Sequence, residues 1–386
     1  MGGSEKLMNV GLIRMNVSKL LLIAPMPPHR GGIALHSYHL ARNLKMLHAT
    51  EVWTPKKLFP SFLYPGESQF ENEAKQEHSL PSLADSHPTK TGAFLRLLTL
   101  SGNEFQAVLV PWWTSYFSLH TIAIATILRI KGVTPAIFCH NVYPHNSSSL
   151  EKALSRVVIR QFKKVFVQSQ KEYDLVKGFH PEGHCTILNH PPYPTQRRPK
   201  LRHYKKTETN GPLKVLFFGF IREYKGIDTL LEAAQKVSHD QFHFHFVGES
   251  WSDSLSDKIE AASHKHSNIT HELSYVKSSS LQSIFDASDV VVLPYSQSTG
   301  SGALATAKGM GVPVIISDRT DPGLEFTEGR DGIIFPAGDS PRLVSALQQF
   351  RENISDFNQC WRGVDQDTEW GRVATRILHE LELDST

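Results

Sequence analysis

The sequence predicts an α/β protein made of two similar halves, each built around a parallel sheet. Short apolar runs of strand type alternate with helical stretches, which indicates a parallel sheet covered by helices. A stretch rich in proline and basic residues interrupts this alternation once, and the pattern then begins again. With 386 residues, the chain is long enough for two domains that each have their own core.

The first half is expected at residues 19–195, after a loose leader at residues 1–18. Its predicted strands are Lys19–Ala24, Glu51–Thr54, Ala107–Pro111, Ala136–Cys139 and Lys164–Gln168. Its predicted helices are Ile33–Leu47, Leu119–Ile130 and Leu150–Phe162. Apolar residues of the first helix recur at helical spacing. The polar segment Pro60–Thr91, rich in proline and serine, is expected to be an irregular excursion.

A linker is predicted at residues 196–211, within the stretch Pro191–Gly211, where four prolines accompany the basic run Arg197–Lys206. Basic runs of this kind are most often solvated linkers. The alternative is a patch that touches anionic lipid headgroups or an anionic acceptor, and that alternative implies peripheral contact with a membrane.

The second half is expected at residues 212–365, followed by a C-terminal helix within residues 366–386 that packs back toward the first half. Its predicted strands are Lys214–Phe218, Phe242–Val247, Thr270–Leu273, Val290–Leu293 and Pro313–Ser317. Its predicted helices are Ile227–Val237, Ser254–His264, Ser279–Ala287, Gly302–Met310 and, at the end of the chain, Glu369–Leu381. Two facing Rossmann-like domains would leave a cleft where the carboxyl ends of both sheets converge.

The composition excludes several classes of function. The formal net charge is +3 with charges mixed along the chain, so nothing indicates a nucleic-acid partner. The three cysteines are far apart and form neither a metal-ligand spacing nor a disulfide framework, which favours a reducing cytoplasm. No apolar run reaches the length of a membrane span.

Ten residues of the second half, Phe217–Gly226, carry the strongest functional signal. A strand runs into a turn at Gly219, the turn presents Arg222 and Lys225, and a helix follows from about Ile227. Two cations and a helix N-terminus at the carboxyl end of a strand form a phosphate site. The alternative is an ordinary turn whose cations are solvated.

Two further glycine-containing loops precede predicted helices. Gly31 and Gly32 lie between the first strand and the first helix, where a ligand can approach the backbone closely. In the segment Pro294–Ala303, the backbone donors of Gly300, Ser301 and Gly302 form an anion nest. The alternative for this second loop is a flexible Ser/Gly connection.

Histidines and a glutamate supply the remaining candidates. His140 and Asn141 follow a strand and are expected to point into the cleft, although a single histidine there is more often structural. No carboxylate or third ligand at ordinary spacing supports a metal. His36 and His39 are interpreted as one cleft-facing residue and one solvated residue. Glu249 either lines the floor under a nucleotide or belongs to a surface turn.

Taken in order, these segments resemble the family 4 retaining glycosyltransferases of GT-B fold. The resemblance runs from Leu20 to about Leu381. Pro27–Ala34 resembles the N-terminal glycine-rich loop of the family, and Phe217–Gly226 resembles its diphosphate-binding segment. Ser317–Pro336 resembles its signature at the end of the sheet.

The resemblance implies roles for individual residues. Arg222 and Lys225 would hold the two phosphates of a nucleotide-sugar donor, His140 would lie beside the donor sugar, and Gly31 and Gly32 would face the leaving phosphate. The implied donor-binding set is Gly31, Gly32, Asn141, Gly219, Glu249, Thr299, Gly300, Ser301, Gly302 and Ala303.

The chain departs from the family pattern at two places. The family usually has two glutamates eight positions apart, and here those positions are Thr299 and Ala307. Glu325 lies later in the chain and does not replace them by sequence. The phosphate-binding arginine often follows the turn glycine directly, whereas here Phe220 takes that place and Arg222 comes later.

The resemblance therefore implies a hexosyltransferase that needs no cofactor or metal, and the cysteine pattern favours a cytoplasmic location. Its donor would be a nucleoside-diphosphate sugar, with UDP as the nucleotide because UDP-hexoses are the commonest donors in the family. The sugar would be transferred with retention of anomeric configuration. The acceptor would be a saccharide, a lipid-linked molecule or a small molecule. The alternatives are a GT-B sugar-nucleotide epimerase and a non-catalytic partner protein that binds sugar nucleotides.

Overall fold

The computed structural model describes residues 19–60, 64, 66, 68–71, 98–99, 104–144, 147–195, 211–297, 300–323 and 325–383. The leader, most of the polar excursion, the basic run and Thr299 lie outside these residues. Within the described ranges, the chain forms two parallel six-stranded sheets with helices between the strands.

The first sheet contains β1 to β6 in the spatial order β2-β1-β3-β4-β5-β6. Its strands are Leu20–Ile23 (β1), Thr50–Trp53 (β2), Ala107–Trp112 (β3), Thr134–Cys139 (β4), Lys164–Val167 (β5) and His184–Ile187 (β6). The helices of this half are Gly32–Leu47 (α1), Ser118–Ile130 (α2), Ser149–Ile159 (α3) and Gln170–Phe179 (α4). Every residue of β1 and β3 is buried, as expected for parallel strands covered on both faces.

The second sheet contains β7 to β12 in the order β12-β11-β10-β7-β8-β9. Its strands are Leu213–Phe218 (β7), Phe242–Val247 (β8), Ile269–Glu272 (β9), Val290–Leu293 (β10), Val314–Ser317 (β11) and Gly332–Phe335 (β12). Its helices are Ile227–Lys236 (α5), Asp253–Lys265 (α6), Leu281–Asp286 (α7), Gly302–Gly309 (α8) and Ser340–Glu352 (α9). The last helix of the chain is Gln366–Glu380 (α10).

This strand order places a topological switch point between β7 and β10. In open α/β sheets, ligands bind outside the carboxyl ends of the strands at such a point. The loops that leave β7 and β10 carry the Gly219–Lys225 turn and the Ser301 nest. In the first sheet, the order in which strands are added reverses between β1 and β3, so the switch point lies there. The loop after β1 carries Gly31 and Gly32.

The helix α10 packs against the first half of the molecule. Its side chains join the core formed with α1 and the first sheet. The indole nitrogen of Trp370 donates a hydrogen bond to the carbonyl of Pro192 at 2.8 Å. The helix begins at Gln366 rather than Glu369. The domain limits themselves stay a prediction.

Elements α4, β6, β12 and α9 are absent from the prediction. The strand β6 is short and only one of its residues, Thr186, is buried, so it lacks the apolar run by which a buried strand is recognised. The helix α4 is mostly polar and begins where the hydroxyl of Ser169 accepts a hydrogen bond from the amide of Glu172.

All three cysteines are free thiols. Among the described residues, no helix has both the length and the apolar character that crossing a membrane requires.

Candidate functional site

The glycine loops of the two halves meet at one point. Gly32 begins α1 and Gly302 begins α8, and a methyl group added to Gly302 would lie 3.9 Å from the Cα of Gly32. The hydroxyl of Tyr193 donates a hydrogen bond to the carbonyl of Gly32 at 3.0 Å and lies beside both glycines. The N-termini of two helices from different halves therefore face the same space, and both favour negative charge there.

Gly31 precedes α1 in a conformation that favours glycine, with a φ of 102°. A β-carbon at Gly31 would lie 3.6 Å from the ring of Phe220, which belongs to the second half. The loop after β1 and the loop after β7 are thus in direct contact across the cleft.

The N-terminus of α8 is shaped by Ser301, which caps the helix. Its hydroxyl accepts a hydrogen bond from the amide of Leu304 at 3.2 Å and lies 3.4 Å from the hydroxyl of Tyr295. A β-carbon on Gly300 would lie 2.6 Å from the side-chain oxygen of Gln168 in the first half, so only glycine fits there without a shift. Thr299 lies outside the described residues.

Lys225 is a buried cation beside this helix N-terminus. A β-carbon on Gly219 would lie 3.0 Å from the Lys225 ammonium and 3.9 Å from the β-carbon of Ala303, so the three residues are neighbours. Burial, and then the like charge of Arg222, lower the pKa of Lys225 to about 7. An anion bound next to Lys225 would favour its charged form.

Arg222 lies against an aromatic wall. The centre of its guanidinium is 3.6 Å from the ring centre of Trp251 and 5.6 Å from that of Phe220. Burial lowers the pKa of Arg222, while the neighbouring Tyr224 raises it. Such stacking holds a guanidinium in one place. The sequence predicts Arg222 as a site residue, but it gives no indication that this side chain stacks on Trp251.

Glu249 is buried, so the alternative of a surface turn is wrong for this residue. Its carboxylate lies 3.7 Å from the guanidinium of Arg30, which comes from the glycine loop of the first half. That guanidinium also lies over the ring of Tyr275, 4.2 Å from its centre. Arg30 and Tyr275 were not predicted, and the only signal for Arg30 was its position next to Gly31.

His140 follows β4 and is buried, with its amide donating a hydrogen bond to the carbonyl of Trp112 at 2.8 Å. Its ring centre is 4.7 Å from that of His36. Burial, and then His190, lower the pKa of His140 to about 3, so its imidazole is neutral at pH 7. Asn141, the next residue, is partly exposed.

The expectation that one residue of the His36 and His39 pair is solvated is wrong. Both side chains are buried, because α10 covers that face of α1. The ring of Trp370 lies 5.0 Å from His36 and 5.4 Å from His39. Nothing local in the sequence shows that the last helix returns to this place.

In the described part of the chain, no group of three or more histidine, cysteine or acidic residues has a geometry that could hold a metal ion. Ala307, which the family resemblance pairs with a glutamate, is fully buried in the hydrophobic core of the second half. The next residue, Lys308, is also buried, and its ammonium lies 3.7 Å from the carboxylate of Glu325.

Residues 212–353 match the family model described as glycosyl transferases group 1. Over 242 residues, the chain is 32% identical to the GDP-mannose:glycolipid 4-beta-D-mannosyltransferase of Xanthomonas campestris pv. campestris. That alignment covers 55% of this chain and 64% of the relative, so the chain spans less than two thirds of the relative's length.

Two solved structures share the architecture at low sequence identity. Anabaena HepE in complex with UDP and glucose is 14% identical, with a TM-score of 0.63 over 95% of this chain and 97% of HepE. The sucrose-phosphate synthase of Thermosynechococcus elongatus is 15% identical, with a TM-score of 0.66 over 95% of this chain and 100% of the synthase. The GT-B fold predicted from the sequence is confirmed, and the match to the glycosyl transferases group 1 covers residues 212–353 of the chain.

Proposed function

We propose that the protein is a glycosyltransferase that moves a hexose from a nucleoside-diphosphate sugar to an acceptor. The observation that carries this proposal is the convergence of the α1 and α8 N-termini beside Lys225 and Arg222. Helix N-termini and buried cations together form a site for a diphosphate. The family match and the name of the Xanthomonas relative support a transferase reaction.

The reaction breaks the bond between the anomeric carbon and the diphosphate oxygen, which leaves negative charge on the diphosphate. In this proposal, Lys225, Arg222 and the backbone amides at the start of α8 would stabilise that developing charge. Fixed donors of this kind contribute on the order of 3–4 kcal/mol each to stabilising the transition state. These groups would do the work that a divalent metal does elsewhere, so we propose that the enzyme needs neither metal nor cofactor.

His140 is neutral and buried, which suits a role in holding the donor sugar by hydrogen bonds. An imidazole with a pKa of about 3 is a weak base, so it is poorly suited to remove the acceptor proton. We therefore propose that the leaving diphosphate takes this proton on the face where the acceptor attacks, which retains the anomeric configuration.

The stereochemical outcome has a direct test. The Xanthomonas relative is named for a β-linked product, and an α-linked donor would reach that product by inversion. Proton NMR of the anomeric signal immediately after transfer distinguishes the two results. Retention supports the mechanism proposed here, whereas inversion requires a base on the opposite face and contradicts it.

We propose GDP-mannose as the first donor to test, because the relative is named for it, and UDP-glucose as the second. The relative's name also favours a glycolipid acceptor, which implies that the enzyme works at a membrane surface. The basic run Arg197–Lys206, outside the described residues, is the segment best suited by charge to touch anionic lipids.

The decisive assay incubates the purified protein with radiolabelled donor and a glycolipid extract, alongside the variant Lys225→Met. Transfer of label into lipid by the wild type, reduced at least about 100-fold in the variant, supports the proposal. Epimerised sugar nucleotide formed from donor alone would identify an epimerase instead. Tight donor binding without transfer to any acceptor would identify a non-catalytic binding protein.

A further inference from the structure

A cavity between the halves lies directly beside the capped end of α8. Both halves line it, and the polar residues in its wall are Gln168, Asn189, His190, Ser301, Lys308 and Asp321. Because both halves contribute to the wall, a change in the angle between them changes the width of the cavity. Closure over a donor would therefore shape it around the bound molecule.

Lys308 is the unusual residue of this wall, because lysine is seldom buried. Its side chain is 4% exposed, and its ammonium lies 3.7 Å from the carboxylate of Glu325. A β-carbon on Gly323 would lie 3.0 Å from that ammonium, so the glycine leaves room for it. Burial lowers the pKa of Lys308, and the nearby carboxylates of Glu325, Asp321 and Asp331 oppose that shift.

The charges around the cavity decide which kind of ligand it suits. The carboxylates near Lys308 outnumber its single positive charge, even though Asp331 is paired with Arg330. Burial lowers the pKa of His190 to about 4, so this imidazole adds no charge at pH 7. A phosphate group in this cavity would therefore be repelled rather than attracted.

A neutral polyol fits these groups better. The wall offers the ammonium of Lys308 as a donor, the carboxylate of Asp321 as an acceptor, and the side-chain amides of Gln168 and Asn189 as both. Each sugar hydroxyl both donates and accepts hydrogen bonds, so it can use this mixed set. Ser301 joins the cavity to the helix N-terminus that suits the diphosphate.

We propose, resting on the proposed function, that this cavity receives the hexose of the donor and that Asp321 and Lys308 select it through its hydroxyls. Asp321 then supplies in space the carboxylate that is missing in sequence at Thr299 and Ala307. One oxygen of Asp321 accepts a hydrogen bond from the amide of Gly323 at 2.9 Å, which holds the loop and leaves the second oxygen for the sugar.

The test compares nucleotide with nucleotide sugar by calorimetry, using GDP against GDP-mannose and UDP against UDP-glucose. The variants are Asp321→Asn, which keeps an oxygen for Gly323, and Lys308→Met, which keeps most of the side-chain volume. The matched control is Asp318→Asn, a more exposed carboxylate of the same loop. Thermal unfolding of each variant verifies that it is folded.

The relevant ligands are the nucleotide and nucleotide sugar that the wild type binds. We expect Asp321→Asn and Lys308→Met to bind that plain nucleotide within about twofold of wild type. The ratio of the two dissociation constants should shift by about tenfold against the nucleotide sugar, because a hydrogen bond to a charged group is lost. An unchanged ratio, or a shift equal to that of Asp318→Asn, overturns the roles assigned to Asp321 and Lys308 but leaves the proposed function standing. A wild type that binds none of the four compounds overturns the proposed function as well.

Discussion

Lys225 should make donor binding depend on pH in a direction set by its burial. In the free protein, the pKa of this lysine is lowered to about 7, first by burial and then by Arg222. A bound diphosphate favours the ammonium, so the pKa of Lys225 is higher in the complex than in the free protein. The complex then holds more protons, and the affinity is full below pH 7 and falls as the pH rises above 7.

The expected size follows from that pKa. Above pH 7, each pH unit should weaken binding by about tenfold, or about 1.4 kcal/mol, until the pKa of the complex is reached. Between pH 6 and pH 8.5, the dissociation constant of GDP-mannose should therefore increase by about 30-fold. The phosphates of a nucleotide sugar are diesters that do not titrate in this range, so the donor itself adds no slope.

Isothermal titration calorimetry at constant ionic strength measures this effect. Lys225→Met should bind more weakly at pH 6 and lose the slope, because it has no proton to take up. The control Lys258→Met replaces a half-exposed lysine on α6 that pairs with Asp228, and it should keep the wild-type slope. A wild-type affinity that stays level from pH 6 to pH 8.5, or a slope that survives in Lys225→Met, would show that Lys225 does not set the pH dependence of binding.

Substitutions at three other residues test separate parts of the site. Trp251→Leu should weaken donor binding by about 5- to 30-fold in calorimetry, because Arg222 loses the ring on which it stacks. Trp251→Phe should restore part of the affinity, and equal losses in both variants would contradict the stacking role. Tyr193→Phe should lower the free energy of unfolding by about 1 kcal/mol in guanidinium chloride, because the carbonyl of Gly32 loses its donor; an unchanged midpoint would count against that bond. Gly226→Ala should lower the free energy of unfolding by at least about 2 kcal/mol in the same assay, because Gly226 has a φ of 71° and a β-carbon there would lie 1.9 Å from the carbonyl oxygen of Pro294. A decrease below about 0.5 kcal/mol would exclude this clash.

Much of the architecture could be predicted because parallel strands are buried on both faces and appear in the sequence as short apolar runs. The strand Val290–Leu293 was predicted at its observed limits for this reason. The glycine loops could also be located, because each lies between such a run and a helix. Parallel strands carry their following loops to one edge of a sheet, so each glycine loop could be placed at the ligand-binding edge of its own sheet.

The rest depends on contacts between distant segments, which local patterns do not encode. Arg30 meets Glu249 only because the halves face each other, and His36 is buried only because the last helix returns to α1. The strand His184–Ile187 was missed because its partner β5, rather than its own composition, determines its position. The role proposed for Asp321 likewise depends on its place in the wall of the cavity.

A crystal structure with GDP-mannose or UDP-glucose bound would show directly whether the cleft holds the donor. We expect the diphosphate between the N-termini of α1 and α8, within hydrogen-bond distance of the Lys225 ammonium and of backbone amides at Ser301–Ala303. A diphosphate bound outside this cleft, or a Lys225 side chain turned away from it, would exclude the proposed diphosphate site.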